Sequence, residues 1–220
     1  AERVYGVPAE IIASIIGIET RYGRIKGNTR VIDSLSTLAF DYPRRSKFFK
    51  TQLEEFLLLS KEENFNPEEI KGSIAGAMGY GQFMPDSYRK YAVDFDQDGI
   101  RDILNNPIDA IGSVANFLSK KGKWKPNTPI AIKAEALTIS GPIKSSFKPY
   151  MTGMELRDMG FEISEKSPGN LKFVPISLDL EEGHEYWLGF DNYNSISRYN
   201  RSKLYVMAVF VFSNKLSQYL

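Results

Sequence analysis

The chain of 220 residues contains no cysteine and only one histidine. Because cysteine is absent, disulfides, thiol nucleophiles and cysteine-based zinc sites are all excluded. The single histidine, His184, excludes a histidine-rich metal site and argues against a Ser-His-Asp triad, which would need it as the general base. We interpret His184 as a surface or turn residue, so any catalysis by this chain has to use other side chains.

The chain also has little net charge and no long apolar run. Its 28 basic and 27 acidic side chains leave a formal net charge of +1. No global field therefore attracts the protein to nucleic acid or to an acidic membrane, and we expect no nucleic-acid partner. The most apolar stretch, residues 205–212, is far shorter than the roughly 20 apolar residues that span a bilayer.

The pattern of apolar and turn-forming residues divides the chain into helical and β-rich parts. We predict a helical core over residues 1–127, a small β-rich subdomain over 128–189, and a helical return to the core over 190–220. The fold class predicted is α+β, mainly α. The predicted helices cover residues 8–20, 34–40, 44–64 and 202–220, and the predicted strands cover 130–139, 173–180 and 186–190.

Two segments carry the same signal for the start of a helix, an asparagine followed by proline and then an acid. Asn66 begins the first of them and predicts a short helix, and Asn106 begins the second, with Asp109 in its first turn. We expect the second helix to end at Gly122. The residues expected on its buried face are Ile108, Ile111, Val114 and Leu118.

Glu19 ends an apolar stripe on the first long helix. The isoleucines at positions 11, 12, 15 and 16 fall on one helical face, and Glu19 continues it four residues past Ile15. A carboxylate on a buried face is partly desolvated, which raises its pKa and makes it a proton donor near neutral pH. The alternative is a structural residue that pairs with Arg21, Arg24 or another cation, or that reaches water from the helix end.

The segment 76–85 holds three glycines in six residues, which allows a close approach of backbone to a ligand. It is not a phosphate loop, because the Lys-Ser/Thr ending is missing and no strand precedes it. Tyr80 and Phe83 offer flat faces for sugar rings, and Gln82 supplies both a hydrogen-bond donor and an acceptor. The alternative is a glycine-rich turn with aromatic packing.

Residues 94–105 match a calcium-binding EF-hand loop. Acids occupy loop positions 1, 3, 5 and 9, and Gly99 stands at position 6, where the sharp turn is needed. Position 12 departs from the pattern because a neutral amide replaces the usual bidentate acid, so we expect weaker calcium affinity. A solvated acidic turn is the alternative. The predicted ligands are Asp94, Asp96, Asp98, the backbone carbonyl of Ile100, Asp102 and Asn105.

Taken together, these segments resemble the membrane-bound lytic transglycosylase B family. The resemblance covers residues 17–23, 76–85, the acidic loop, 109–116 and 197–202, in the same order and with the same spacing. It implies a lysozyme-like helical catalytic core, a small antiparallel β subdomain and one EF-hand loop. It also implies cleavage of the bond between N-acetylmuramic acid and N-acetylglucosamine in peptidoglycan, with a 1,6-anhydromuramoyl product.

The resemblance places the family's catalytic acid/base on Glu19. The family's sugar- and peptide-contacting residues fall on Arg44, Arg45, Ser73, Gln82, Phe83, Tyr199, Asn200 and Tyr205. Taken alone, Arg44 and Arg45 also fit a solvated basic face, and Tyr199 and Tyr205 also fit ordinary core packing. The resemblance further implies a structural calcium ion, no organic cofactor, and a periplasmic monomer acting on glycan strands and stem peptides. Outer-membrane attachment would need an upstream segment that is absent from this sequence.

Hydrolytic glycosidases usually need two carboxylates. No convincing second carboxylate accompanies Glu19 in these segments, and a site with one carboxylate suits an internal attack by the substrate's own hydroxyl. We therefore expect a lytic transglycosylase. A hydrolytic muramidase with the same acid and a non-catalytic, calcium-stabilised glycan-binding module are the alternatives.

Overall fold

In the computed structural model, the structure describes residues 1–139, 141–144, 146–163 and 171–219. Two compact units divide the chain, residues 1–117 and residues 118–220. Helices predominate in both, and the strands form two small antiparallel sheets. Among the described residues, no helix has both the length and the apolar character needed to cross a membrane.

The first unit is mainly helical. Its helices are α1 (Glu2–Tyr5), α2 (Ala9–Thr20), α3 (Val31–Phe40), α4 (Ser46–Glu62), α5 (Pro85–Tyr91) and α6 (Pro107–Lys120), the last of which continues past residue 117. A two-stranded antiparallel sheet joins β1 (Thr29–Arg30) to β2 (Lys71–Gly72). One 3-10 turn, Pro43–Arg45, precedes α4.

The apolar stripe of α2 is buried as predicted. Its four isoleucines, at positions 11, 12, 15 and 16, are between 0% and 5% exposed. Burying one such side chain stabilises the fold by about 1.5–3 kcal/mol, so this face fixes α2 firmly in the unit. The helix ends at Thr20, because Arg21 takes a left-handed conformation with φ of 50°.

Two helix predictions in this unit need correction. The segment from Asn66 forms only a turn, in which its side chain accepts a bond from the Glu68 amide and donates one to the Glu69 carboxylate. Asn106 does begin α6 by accepting a bond from the Ile108 amide. However, the Ile108 and Ile111 side chains are 48% and 39% exposed, so the predicted buried face is wrong at its first two positions.

The second unit is built around a four-stranded antiparallel sheet. Its elements are β3 (Ala131–Ala134), β4 (Met151–Thr152), α7 (Gly153–Asp158), β5 (Lys172–Asp179), β6 (His184–Gly189), α8 (Asp191–Ser197) and α9 (Lys203–Leu216). The strand order is β3-β6-β5-β4. The buried cluster on this sheet comprises Leu156, Phe161, Phe173, Tyr186, Leu188 and Phe190.

The sheet shows why β5 tolerates a proline. Pro175 pairs with Leu188 of β6, whereas β4 pairs with β5 only at residues 172 and 173. Pro175 therefore lies where its missing N–H leaves no ladder bond unmade on the β4 side. His184 begins β6, and its Nδ1 lies 2.9 Å from a carboxylate oxygen of Asp179 across the hairpin, as expected for a residue beside a turn.

The predicted strands are found, with one of them much shorter. Only residues 131–134 of the predicted strand 130–139 are extended in the sheet, whereas β5 and β6 lie close to their predicted positions. The C-terminal helix is also present, and the Ser202 hydroxyl caps it by accepting a bond from the Tyr205 amide. The domain boundaries predicted at 127 and 189 stay predictions.

The Asn192 side chain holds the backbone of Lys125 and Thr128 in the second unit, so removing it should destabilise the fold. Its buried amide accepts a bond from the Lys125 amide at 2.9 Å and donates to the carbonyls of Lys125 and Thr128 at 2.8 and 2.7 Å. Because Asn192→Ala leaves these groups unpaired, we expect it to lower the free energy of unfolding by about 3 kcal/mol. Chemical denaturation measures the change.

The matched control is Asn194→Ala in the same helix. The half-buried Asn194 side chain makes no hydrogen bond to any other residue that the structure describes. We expect this variant to cost less than about 1 kcal/mol. Equal losses for the two variants would contradict the role of the Asn192 amide.

Candidate active site

Glu19 lies in the last turn of α2, one residue before the helix ends, and its side chain is half-buried. Its neighbour Thr20 is 1% exposed, and Ile16, one turn earlier, is 5% exposed. The buried apolar stripe therefore places the Glu19 carboxylate at the edge of the core, as the spacing predicts.

The chain leaves α2 through two left-handed residues. Arg21 and Tyr22 have φ of 50° and 59°, a region that non-glycine residues rarely adopt. The Arg21 amide donates to the Gly17 carbonyl at 2.9 Å, and the Tyr22 amide donates to the Ile16 carbonyl at 3.4 Å. Such conformations persist only where surrounding contacts hold them, and they occur often at functional sites.

The glycine-rich segment forms a tight turn. The Met78 and Phe83 backbones exchange two hydrogen bonds, each of 2.9 Å, and residues 79–82 form the tip between them. The tip is fixed on one side because the Tyr80 amide donates to the Ile103 carbonyl at 3.2 Å. A side chain at Gly79 would meet that carbonyl at 2.3 Å, so this close approach requires glycine.

The side chains of this turn divide into an accessible ring and a buried one. Tyr80 is half-buried, and the Lys26 ammonium lies 4.8 Å from the centre of its ring. Phe83 is only 3% exposed and packs against Phe117, with ring centroids 5.5 Å apart. The Phe83 ring thus packs in the core of this unit, and its predicted sugar contact stays a prediction.

Gln82 and Ser73 use part of their hydrogen-bonding capacity to hold the turn. The Gln82 amide nitrogen donates to the Lys26 and Gly79 carbonyls at 3.1 and 2.9 Å, which leaves its oxygen as an acceptor. The Ser73 hydroxyl accepts bonds from the Ala75 and Ala77 amides at 3.3 and 3.1 Å. A hydroxyl that accepts two bonds still has its own hydrogen to donate.

Tyr80 also lines an open groove beside α2. The groove has a volume of about 440 Å³ and a mostly apolar surface. Tyr22 and Tyr80 give it two aromatic side chains, one from each side of the junction between α2 and the glycine-rich turn. Its lining comprises Ala1, Glu2, Ala9, Ile12, Ala13, Ile16, Tyr22, Tyr80, Pro107 and Ile111.

Arg44 and Arg45 lie on an exposed, positively charged segment between α3 and α4. Both belong to the 3-10 turn, and no acidic residue occurs between Asp41 and Glu54. The Arg45 guanidinium lies 4.2 Å from the centre of the Phe48 ring, an arrangement that orients it without neutralising it. This segment can therefore present two forked cations to a carboxylate.

Tyr199, Asn200 and Tyr205 lie in the second unit, between α8 and the start of α9. The Tyr199 and Tyr205 rings are half-buried and nearly parallel, at 9°, with centroids 6.4 Å apart. Asn200 is exposed, and its carbonyl accepts a bond from the Ser202 amide at 2.9 Å. Both tyrosine side chains are therefore partly accessible to solvent.

The acidic loop coils back on its first residue. The Asp94 carboxylate accepts bonds from the Asp98 and Gly99 amides at 3.1 and 2.8 Å, and Gly99 takes φ of 92° at the predicted sharp turn. The Tyr88 hydroxyl of α5 donates to the Arg101 carbonyl at 2.6 Å. Burial raises the pKa of the Tyr88 phenol, so this donor keeps its proton over the physiological pH range.

One acid that holds this loop was missed by the EF-hand pattern. Asp109 of α6 is fully buried, and its carboxylate accepts bonds from the Phe95 amide at 2.7 Å and the Asp102 amide at 2.8 Å. Asp94, Asp96 and Asp109 can each place one oxygen within 4.8 Å of the others. Two ligands on opposite sides of a calcium ion are about 5 Å apart, so this spacing fits such an ion.

The residues predicted at the end of the loop make hydrogen bonds within it, and their role as calcium ligands stays a prediction. The Asp102 carboxylate accepts bonds from the Leu104 and Asn105 amides, both at 2.9 Å, and so caps the turn that follows. The exposed Asn105 side chain donates to Asp102 at 3.3 Å. From the sequence, Asp109 had only the role of an acid in a first helical turn, and its place after Asn-Pro was the one signal available.

Comparison with known proteins assigns the chain to a family. It matches the family model described as Transglycosylase SLT domain over residues 1–214. It is 45% identical, over 209 residues and 95% of its length, to the membrane-bound lytic murein transglycosylase B of Escherichia coli strain K12. The chain spans 57% of that relative's length.

Solved structures show the same fold. The soluble lytic transglycosylase SltB1 of Pseudomonas aeruginosa shares 45% identity with a TM-score of 0.91, over 99% of this chain and 72% of that one. The Escherichia coli transglycosylase Slt35, solved in complex with calcium, shares 43% identity with a TM-score of 0.88, over 99% and 68%. SltB3 of Pseudomonas aeruginosa, solved with NAG-NAM-pentapeptide, shares 32% identity with a TM-score of 0.78, over 98% and 58%.

The chain therefore belongs to the transglycosylase SLT domain family. The fold class predicted from the sequence, mainly helical with small antiparallel sheets and lysozyme-like, is confirmed. The family resemblance itself is confirmed as well.

The close approach of Tyr80 to Gly23 gives a direct test of the junction between α2 and the turn. A side chain added at Gly23 would lie 2.1 Å from a carbon of the Tyr80 ring, and Gly23 has φ of 85°. We expect Gly23→Ala to lower the free energy of unfolding by about 2–3 kcal/mol, from backbone strain and overpacking together. Chemical denaturation measures it in wild-type and Tyr80→Ala backgrounds.

In the Tyr80→Ala background the cost of Gly23→Ala should fall to about 1 kcal/mol, because only the backbone strain remains. Gly183→Ala is the control, since Gly183 has φ of 78° and open space around its Cα. The contact between Gly23 and Tyr80 would be refuted by an identical cost in both backgrounds.

Proposed function

We propose that this protein is a peptidoglycan lytic transglycosylase that cleaves the β-1,4 bond between N-acetylmuramic acid and N-acetylglucosamine and leaves a 1,6-anhydro end, in cell-wall turnover. The observation that carries the proposal is the position of Glu19. This half-buried carboxylate lies in the last turn of an apolar helix, and the end of that helix is hydrogen-bonded to the glycine-rich turn.

Glu19 serves first as the general acid. Its carboxyl group donates a proton to the glycosidic oxygen, and the bond from that oxygen to C1 of the muramoyl sugar breaks. The substrate's N-acetyl oxygen supports the positive charge that develops at C1, as in substrate-assisted glycosidases.

Glu19 then serves as the general base. Its carboxylate removes the proton from the C6 hydroxyl of the same sugar, and the C6 oxygen bonds to C1. No water is consumed, and Glu19 returns to its protonated form for the next cycle. The attack is intramolecular, so it gains from a high effective molarity and needs no second carboxylate to activate water.

The surrounding side chains bind and orient the glycan in this proposal. The Tyr80 ring, beside the Lys26 ammonium, stacks on a sugar, and the Ser73 hydroxyl donates its hydrogen to the N-acetyl group. Arg44 and Arg45 take the carboxylates of stem peptides. Tyr199, Asn200 and Tyr205, which belong to the second unit, are proposed separately as sugar-contacting residues. The Gln82 oxygen is proposed as a hydrogen-bond acceptor.

The acidic loop is proposed to hold a structural calcium ion. The donor set fits the ion: hard carboxylate oxygens from Asp94, Asp96 and Asp109 lie close together, with Asp98 and the Ile100 carbonyl on the same coil. When bound, calcium neutralises the mutual repulsion of these carboxylates and stiffens the loop. It takes no part in bond cleavage.

The substrate also sets the location of the protein in this proposal. Peptidoglycan lies outside the cytoplasmic membrane, so an enzyme that acts on it works in the periplasm. The Escherichia coli relative carries the description membrane-bound. Attachment of this protein to the outer membrane, a monomeric state and the lack of a nucleic-acid partner stay predictions.

Replacing the acid tests the proposal. Glu19→Gln should reduce the release of soluble fragments from purified peptidoglycan by about 10³-fold, because general acid and base catalysis are both lost. Thermal unfolding and circular dichroism check that the fold is kept. Glu10→Gln, a half-buried glutamate on the same helix, is the control and should keep wild-type turnover. Substantial turnover by Glu19→Gln would refute the assignment.

The calcium site predicts a difference between two substitutions. Asp109→Asn removes a buried anionic oxygen, so we expect calcium affinity to fall at least about 10-fold, whereas Asn105→Ala should change it less than about 3-fold. Titration calorimetry measures the affinities. Calcium at about 100 times its dissociation constant should stabilise the wild type by about 2.7 kcal/mol, and magnesium at equal concentration is the control. A larger loss for Asn105→Ala would contradict this ligand set.

A further inference from the structure

Thr20 joins the catalytic helix to the glycine-rich turn through one hydroxyl group. This residue follows Glu19 and is 1% exposed. Its Oγ1 accepts a bond from the Gly23 amide at 2.9 Å. Its one hydrogen is shared between two acceptors, the Tyr80 carbonyl at 2.9 Å and the Ile16 carbonyl at 3.1 Å. One buried hydroxyl therefore connects two segments that lie 60 residues apart in sequence.

The bond to Gly23 stabilises the unusual exit from α2. The two residues between them, Arg21 and Tyr22, are left-handed. The Thr20 carbonyl adds to this arrangement by accepting a bond from the Ile25 amide at 2.9 Å. The last turn of a helix frays readily when its end is not capped, and here the last turn is the one that carries Glu19.

Two further contacts hold the same junction independently of Thr20. The Tyr80 ring fills the space that a side chain at Gly23 would need. Lys26 covers the Tyr80 ring with its ammonium and accepts a bond from Gln82 with its carbonyl. Loss of the Thr20 hydroxyl should therefore loosen the register between α2 and the turn without releasing the turn altogether.

We propose that Thr20 is a positioning residue, whose hydroxyl fixes the carboxylate of Glu19 relative to the turn that carries Tyr80. The inference rests on the proposed function of Glu19. Proton transfer requires the donor within hydrogen-bond reach of the glycosidic oxygen, and a misplacement of about 1 Å can lower the rate about 10²-fold. Glycan binding relies on other groups, so the effect should fall on kcat and leave KM nearly unchanged.

Ser14 provides a matched control on the same helix. It is fully buried, and its hydroxyl has no hydrogen-bond partner among the residues that the structure describes. Ser14→Ala and Thr20→Val each remove one buried hydroxyl from α2. Only the second breaks a bond between the helix and the glycine-rich turn, so a general effect of hydroxyl loss on α2 appears equally in both variants.

The experiment measures kcat and KM on soluble glycan strands at a temperature where each variant is fully folded. Thr20→Val should lower kcat about 10- to 100-fold with KM within about 2-fold of wild type, whereas Thr20→Ser should restore kcat to within about 3-fold. Ser14→Ala should match the wild type. In a Glu19→Gln background, Thr20→Val should have no further effect, because the group that it positions is already lost.

The outcomes separate this inference from the proposed function. If Glu19→Gln is inactive while Thr20→Val keeps wild-type kcat, the positioning role is refuted and the function of Glu19 stands. An equal loss of activity in Thr20→Val and Ser14→Ala, or a loss in Thr20→Val that falls on KM alone, also refutes positioning. Full activity of Glu19→Gln contradicts both claims.

Should Thr20→Val fail to fold, Thr20→Cys, with a weaker donor and acceptor, should show a kcat between those of Thr20→Ser and Glu19→Gln.

Discussion

The junction between the end of α2 and the glycine-rich turn is the constraint on which the rest of the site depends. Burial of the isoleucine face fixes α2 in the first unit, and the Thr20 hydroxyl and the glycine at position 23 then allow the turn to lie against its end. This contact places the last turn of α2, which carries Glu19, against the turn that carries Tyr80. A single acid can serve as both proton donor and acceptor only where its position is fixed to within a fraction of an ångström.

The acidic loop also supports this junction through hydrogen bonds. The Tyr80 amide bonds to the Ile103 carbonyl, and the Lys26 ammonium bonds to the Leu104 carbonyl at 2.6 Å. Asp109 in turn holds the loop by binding the amides of Phe95 and Asp102. A cation in this loop would therefore brace the turn through its backbone while lying outside the chemistry, which agrees with a structural role for calcium.

The sequence predicted the elements whose pattern is local. The stripe of α2, the asparagine cap of α6 and the strands β5 and β6 follow from spacing and turn residues over a few positions. It did not predict α5, α7 or α8, because helices of six or seven residues depend on tertiary contacts more than on periodicity. Asp109 was missed for a related reason, since its partners come from a loop and its burial is a tertiary property. The exposed isoleucines of α6 show that periodicity identifies a helical face but not how far the core covers it.

The most direct test of the central claim is the mass of the sugar ends released from purified peptidoglycan by the wild-type protein in isotopically labelled water. Glu19 acting alone as acid and base predicts muramoyl ends that are lighter than hydrolysed ends by one water and carry no label from the solvent. Full-mass ends that contain labelled oxygen would show that water attacks C1, and would contradict the internal attack on which this account rests.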